Sequence, residues 1–194
     1  MSTSVSNEPT RAQSDTPESG AVPLRNLYAV RFGFAILWAV LFAVTASTIN
    51  PASSVLLLVY PLVDLVAAVV DLRASADPGR RAPLGLNMAL SAAAAIGVAV
   101  AVTSGVPAVL RVWGAWAIAA GIVQLVVAIG RRRMGGQVAM MLSGGISVVA
   151  GAGFVAGAGA ADPSLRNLAG YATLGGIFFL VSAIRLHRHT RRAK

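Results

Sequence analysis

The chain has 194 residues, of which 56% are hydrophobic and 12% are charged, and its mean hydropathy of +0.73 excludes a soluble domain with a polar surface. The absence of cysteine excludes disulfides and thiolate metal sites. The net charge of +9 does not indicate nucleic-acid binding, because the arginines lie at the ends of apolar runs, which is typical of membrane topology.

The first part of the chain predicts a tail and two helices. Residues 1–25 are rich in Ser, Thr, Pro, Glu and Gln, which predicts a disordered tail. The uncharged run 32–63 would form a helix of roughly 48 Å, too long for one membrane span, and Asn50-Pro51 divides it. We therefore predict helix 1 over 27–48 and helix 2 over 51–70. The alternative is a cleaved signal peptide, but the apolar run is long for that signal.

Helix 4 has the clearest pattern of a membrane span. Residues 112–130 carry no charge, and they cover about 28 Å as a helix, close to the ~30 Å hydrocarbon core of a bilayer. Pro107 opens the helix and three arginines follow it. The same pattern assigns helix 3 to 84–103, helix 5 to 137–158 and helix 6 to 164–184, with a polar loop at 71–83.

Three prolines mark an internal repeat. Pro51, Pro107 and Pro163 are spaced by 56 residues, and each opens an apolar run that ends in basic residues. This repeat predicts an all-α integral membrane bundle of six helices, made of three tandem transmembrane hairpins. The predicted domains are a cytoplasmic tail at 1–25, a transmembrane domain at 26–186 and a basic cytoplasmic tail at 187–194.

The basic residues predict the topology. Fourteen of the sixteen Lys and Arg lie on the side of the predicted bundle that carries both termini, and only Arg111 and Arg166 lie on the other. The positive-inside rule therefore predicts cytoplasmic termini. Arg111 and Arg166 are expected to contact lipid phosphates, with an anion site as the alternative. The excess of Arg over Lys, with abundant Ala and Gly, indicates a GC-rich bacterial genome.

Asp64 is the ionisable residue predicted at membrane depth, where a charge costs about 2.5–3.5 kcal/mol on insertion scales. It follows Pro61, which kinks the helix because its ring prevents a hydrogen bond to the Leu57 carbonyl. The sequence predicts either a structural ion pair with Arg31 on the adjacent helix or a proton or ion site. The structural pair is the preferred interpretation.

Helix 5 carries two motifs of small residues spaced four apart. They are Ser147-x-x-x-Gly151 and Gly153-x-x-x-Gly157. Small residues let helices approach closely, so we predict that all four pack one hairpin on another. A joint with a second protomer or another membrane protein is the alternative. Asn87 and Gln124 are expected to form interhelical hydrogen bonds.

No catalytic motif is present in the sequence. It has no H-E-x-x-H, no P-loop and no G-x-S-x-G. Both histidines, His187 and His189, follow the last predicted span, so no buried Ser–His pair is expected. We predict a protein that is not an enzyme, has no cofactor or metal, binds no nucleic acid and has the lipid bilayer as its main partner.

The three hairpins, with W-G-A-W-A-I-A-A-G-I at 113–122 and L-S-G-G-I-S-V-V-A-G at 142–151, resemble the HdeD-like membrane proteins. In the first hairpin Leu65 replaces the matching glycine. The resemblance implies a six-helix inner-membrane protein, built from a short repeat of unknown function and linked to acid or envelope stress. The alternative function is a small transporter or proton-coupled channel that uses Asp64.

Overall fold

The computed structural model describes residues 18–74, 78–130, 132–134 and 137–192. This part of the chain forms six α-helices and one short 3-10 helix, with no strand. They are α1 (Glu18–Thr45), α2 (Pro51–Ala74), α3 (Pro78–Ala101), α4 (Val106–Gly130), the 3-10 helix (Arg132–Met134), α5 (Val138–Gly157) and α6 (Arg166–Arg192). Each α-helix contains 20 to 25 residues that are apolar enough to cross a membrane. The chain is therefore a multi-pass membrane protein, and the predicted six-helix bundle is confirmed.

Polar side chains and one glycine set the helix boundaries at two turns. Lipid offers the backbone no hydrogen-bond partner, so each apolar run satisfies its own backbone groups as a helix. The side-chain amide of Asn50 donates to the carbonyl oxygen of Thr45 at 2.8 Å, and the backbone N–H of Ser53 donates to the side-chain oxygen of Asn50 at 2.9 Å. Asn50 thus caps both α1 and α2. Between α3 and α4, Gly105 has a φ of +97°, which glycine adopts without a Cβ clash.

Four helices extend into regions where the sequence predicts none. α1 begins at Glu18 within the predicted 1–25 tail, and α6 continues to Arg192 within the predicted 187–194 tail. Within the predicted 71–83 loop, α2 continues to Ala74 and α3 begins at Pro78. The remainder of the first tail, 1–17, lies outside the described residues. Elongating an existing helix needs no new nucleus, so a span readily continues past its apolar segment.

The helices form a closed ring. Each of α2 to α5 packs on its two neighbours in sequence, and α1 and α6 close the ring by packing on each other. The most extensive packing joins α4 to α5, α1 to α6 and α2 to α3. These are contacts between different repeats, whereas the contacts within each predicted hairpin are smaller. The repeat itself is visible in the structure, because α1, α3 and α5 end at Thr45, Ala101 and Gly157, at intervals of 56 residues.

The two ends of the bundle differ in charge. The end where α1, α3 and α5 begin is named the basic end, and the end that holds the turns after these helices is named the turn end. Among the described residues, six exposed arginines lie at the basic end: Arg73, Arg81, Arg132, Arg133, Arg185 and Arg188. Arg111 and Arg166 are exposed near the turn end. The uneven distribution of charge therefore belongs to the folded bundle as well as to the sequence.

Aromatic side chains fill the interior of the ring in the half nearer the turn end. Trp38 stacks on Phe42 with 4.4 Å between ring centroids, and it lies 5.7 Å from Trp113. Tyr60 and Trp116 each lie 5.3 Å from Trp113. We name these five residues the aromatic plug. The indole N–H groups of Trp113 and Trp116 are buried without a hydrogen-bond acceptor.

Candidate functional site

The structure places Arg31 of α1 and Asp64 of α2 in direct contact. A guanidinium nitrogen of Arg31 donates to Oδ1 of Asp64, and only 16% of each side chain is exposed. Asp64 lies about 20 Å along α2 from Pro51 and about 15 Å from Ala74. The ion pair therefore lies near the middle of the span.

Helix α3 supplies two further donors to the same carboxylate. Nδ2 of Asn87 donates to Oδ2 of Asp64 at 3.0 Å, and Oγ of Ser91 donates to the same atom at 2.7 Å. Asn87 and Ser91 are four residues apart and so share one helix face. Asn87 thus forms the expected interhelical bond, whereas Gln124 is half-buried on α4 and takes no part in these contacts. Sequence reasoning missed Ser91, although its spacing from Asn87 was a usable signal.

Arg31 also connects the ion pair to α6. Its guanidinium carbon lies 4.2 Å from the centroid of the Phe179 ring. A desolvated arginine over an aromatic face gains about 2 kcal/mol. Helices α1, α2, α3 and α6 therefore meet at one charged centre, which consists of Arg31, Asp64, Asn87, Ser91 and Phe179. This centre includes part of the contact between α1 and α6 that closes the ring.

A small cleft lies beside the ion pair. Its walls are formed by Arg31, Phe34, Ala35, Tyr60, Val63, Asp64 and Phe179. The cleft has a volume of about 20 Å³, which is room for roughly one water molecule. Tyr60 precedes Asp64 by one helical turn and forms the wall on the side of the turn end, so the aromatic plug begins at the cleft.

Pro61 lies fully buried in α2, close to Asp64, and the helix continues through it. The sequence predicts that the Leu57 carbonyl lacks a partner because proline has no N–H. In the structure the adjacent carbonyl, that of Leu56, accepts a hydrogen bond from Nε1 of Trp38 at 2.7 Å. The turn of α2 that contains the proline is therefore fastened to α1 by a residue of the aromatic plug.

A second ion pair lies closer to the basic end. Arg80 of α3 donates to both oxygens of Asp71 of α2 at 3.3 Å, and Asp71 is buried. Tyr28 of α1 lies beside Arg31, Asp71 and Arg80, and its ring stacks on Phe179 with 6.3 Å between centroids. The two ion pairs and their neighbours form one group, which we name the polar column: Tyr28, Arg31, Asp64, Asp71, Arg80, Asn87 and Ser91.

The predicted small residues of α5 fall into two sets. A Cβ on Gly151 would lie 2.6 Å from the carbonyl oxygen of Gly114 on α4, so these helices touch backbone to backbone. Ser147 accepts a hydrogen bond from the Tyr171 hydroxyl of α6 at 3.0 Å. The packing prediction does not hold for Gly153 and Gly157, because a Cβ at either position would meet nothing within 4 Å. Both point away from the neighbouring helices, since only one face of α5 contacts α4.

This geometry allows two roles for the charged centre. The ion pair and its α3 donors can hold four helices in register, and the carboxylate can also exchange a proton with water in the cleft. Arg111 and Arg166 lie far from the pair, near the turn end. Comparisons of the chain with protein-family models, with curated proteins and with solved structures found no match.

Proposed function

We propose that the chain is a non-enzymatic protein of the bacterial inner membrane, of the HdeD-like type, which supports survival of acid or envelope stress. It acts through its packing and through contacts with lipid and with membrane partners. Within this proposal the Arg31–Asp64 pair is structural and keeps the ring of helices closed.

The three hydrogen bonds that Asp64 accepts are the observation that carries the proposal. Oδ1 accepts a bond from Arg31, and Oδ2 accepts bonds from Asn87 and Ser91. A passing ion has to displace one of these donors, and hydrogen bonds to a charged group contribute about 1.5–3 kcal/mol each. A carboxylate held in this way suits a fixed interhelical joint better than a site of rapid exchange.

The distribution of arginine supports an orientation with both termini in the cytoplasm. The exposed arginines of the basic end outnumber those near the turn end, as the positive-inside rule expects for a cytoplasmic face. Reporter fusions at Ser104, in a turn at the turn end, and after Lys194 test this orientation. Activity of a periplasm-specific reporter at Ser104 alone is the expected result, and activity after Lys194 alone contradicts it.

A gene-deletion experiment tests the stress function. Cells that lack the gene should lose viability at low pH or under envelope stress, and the wild-type chain should restore it. The double variant Asp64→Asn with Arg31→Gln removes both charges of the charged centre. If it folds, it should also restore viability, because the proposal requires the fold and not a proton site. Unchanged survival of the deletion strain would remove the support for a stress role.

The second candidate is a small transporter or proton-coupled channel that uses Asp64. The observation that favours it is the cleft, since Arg31, Tyr60 and Asp64 all line it. Proton flux into liposomes that contain the purified protein distinguishes the two candidates. Flux that disappears in Asp64→Asn protein supports transport, and the absence of flux from wild-type protein supports the structural role.

A further inference from the structure

The two halves of the ring interior differ in polarity. The polar column begins at Asp71 and Arg80, near the basic end, and reaches Asp64 in the middle of the span. Beyond Asp64, toward the turn end, the buried residues are aromatic or aliphatic apart from Ser53, whose hydroxyl donates to the backbone of the turn before α2, and Leu57, Val98 and Trp113 are completely inaccessible. A polar half and a sealed apolar half therefore meet at the cleft.

The polar column is continuous along facing helices. Asp64 and Asp71 are seven residues apart on α2, about 10 Å along the axis, and two helical turns return them to the same face. Arg80 and Asn87 repeat this spacing on α3. Tyr28 of α1 lies near Asp71, Arg80 and Arg31. Polar groups that can bind water are therefore present both at the layer of Asp71 and at the layer of Asp64.

We propose that the polar column is a one-sided access path, along which water and protons reach the cleft beside Arg31 and Asp64 from the basic end. The aromatic plug closes the cleft from the turn end. This inference goes beyond the proposed function, which requires no water inside the bundle. It also constrains the transport alternative, because a path that ends at the plug is not a pore.

Exposure and charge support access from the basic end. The Arg80 side chain is 29% exposed and those of Arg31 and Asp64 are each 16% exposed, so the ion pair keeps some exposure at mid-depth, while the Asp71 side chain, at 8%, and Ser91 are buried. The two acids and two arginines cancel in charge. A neutral column lined by donors and acceptors suits water better than it suits a bound counter-ion.

The internal repeat supplies a matched control. Ser91 and Ser147 are 56 residues apart, and each lies ten residues before the end of its helix, about 15 Å from the turn end. Ser91 faces Asp64, whereas Ser147 accepts a bond from Tyr171, and a Cβ on Gly121 of α4 would lie 3.0 Å from the Ser147 Cβ. The two serines thus share depth and residue type but differ in contact with the polar column.

Single cysteines test the access path directly, because the chain has none of its own. Ser91→Cys and Ser147→Cys proteins are reconstituted in sealed vesicles, and silver ion is added on one side at a time. The thiol that remains is measured with a fluorescent maleimide after denaturation. Exposed positions at the two ends, Arg133→Cys and Ser104→Cys, report the orientation of the protein in the vesicles.

Silver reacts with the thiolate, which forms where water reaches the sulfur. We expect Ser91→Cys to react roughly ten-fold or more faster from the basic end than from the turn end, and Ser147→Cys to react slowly from both sides. Val63 lies in the wall of the cleft, so Val63→Cys should behave like Ser91→Cys. It replaces Ser91→Cys in the experiment if that variant does not fold. Equal rates from both sides, faster reaction from the turn end, equal rates for the two serine positions, or no reaction at Ser91 and Val63 would each overturn the proposal.

Discussion

Gly114 of α4 and Gly151 of α5 face each other so closely that neither has room for a side chain. A Cβ on either residue would lie 2.6 Å from the carbonyl oxygen of the other. Gly121 and Gly144 repeat the arrangement two helical turns away, with corresponding distances of 2.7 and 2.9 Å. The most extensive helix pair in the bundle is therefore built on two glycine contacts, in which backbone meets backbone.

A methyl group at this contact should destabilise the protein. Gly151→Ala places a Cβ against a backbone oxygen that cannot move unless α4 and α5 separate, and overpacking of this kind costs about 1–3 kcal/mol. Gly153→Ala is the matched control, because it adds the same methyl group to the same helix in open space. Thermal unfolding in detergent should show a lower midpoint for Gly151→Ala and an unchanged or slightly higher midpoint for Gly153→Ala. Equal midpoints for the two variants would contradict the backbone contact.

Trp38→Phe separates the hydrogen-bonding role of Trp38 from its aromatic role. Phenylalanine keeps a ring next to Phe42 but cannot donate to the Leu56 carbonyl, so stability should fall by about 1 kcal/mol. Phe42→Leu, which removes an aromatic ring and no hydrogen bond, provides the comparison. Infrared absorption of a ¹³C-labelled Leu56 carbonyl should shift to higher frequency in Trp38→Phe alone. A shift of the same size in Phe42→Leu would show that the indole is not the donor.

Arg80→Gln tests the ion pair near the basic end. The substitution leaves buried Asp71 without its cationic partner, and we expect a loss of about 1–3 kcal/mol because an uncompensated carboxylate remains. Arg81→Gln removes the same charge from an exposed neighbour and should change stability by less than about 0.5 kcal/mol. Chemical unfolding of both variants in one detergent measures the difference. If Arg81→Gln is the more damaging variant, the assignment of the ion pair is wrong.

The sequence predicted the spans well because the physics of lipid acts on each segment separately. A charge-free run such as 112–130 has to become a helix in hydrocarbon, whatever its neighbours do. The helix ends that lie outside the bilayer were harder to predict from the sequence. For example, α3 begins at Pro78 because residues near its start, including Arg80, bind back to α2. Contacts of that kind depend on the fold and not on local composition.

The charged centre was only partly predictable. Arg31 and Asp64 were paired as opposite charges on adjacent helices, and Asn87 was expected to bond across helices, but the four-residue spacing that places Ser91 on the same helix face as Asn87 was overlooked. The sequence also did not show which face of α5 packs on α4, because lipid and protein interior are equally apolar. For that reason Gly151 and Gly153 were equivalent in the sequence and are opposite in the structure.

The most direct test of the structural role is a double-mutant cycle on Arg31 and Asp64. Breaking a buried ion pair by removing one partner typically costs 3–5 kcal/mol, because the remaining charge stays buried. Asp64→Asn alone and Arg31→Gln alone should therefore each unfold at much lower temperature in detergent, and the double mutant should recover part of the loss. Proton flux in liposomes, measured on the same four proteins, should be absent from all of them. A stable Asp64→Asn protein that has lost a measurable flux of the wild type would contradict the structural account, and unchanged stability with no flux in any of the four would reject both functions.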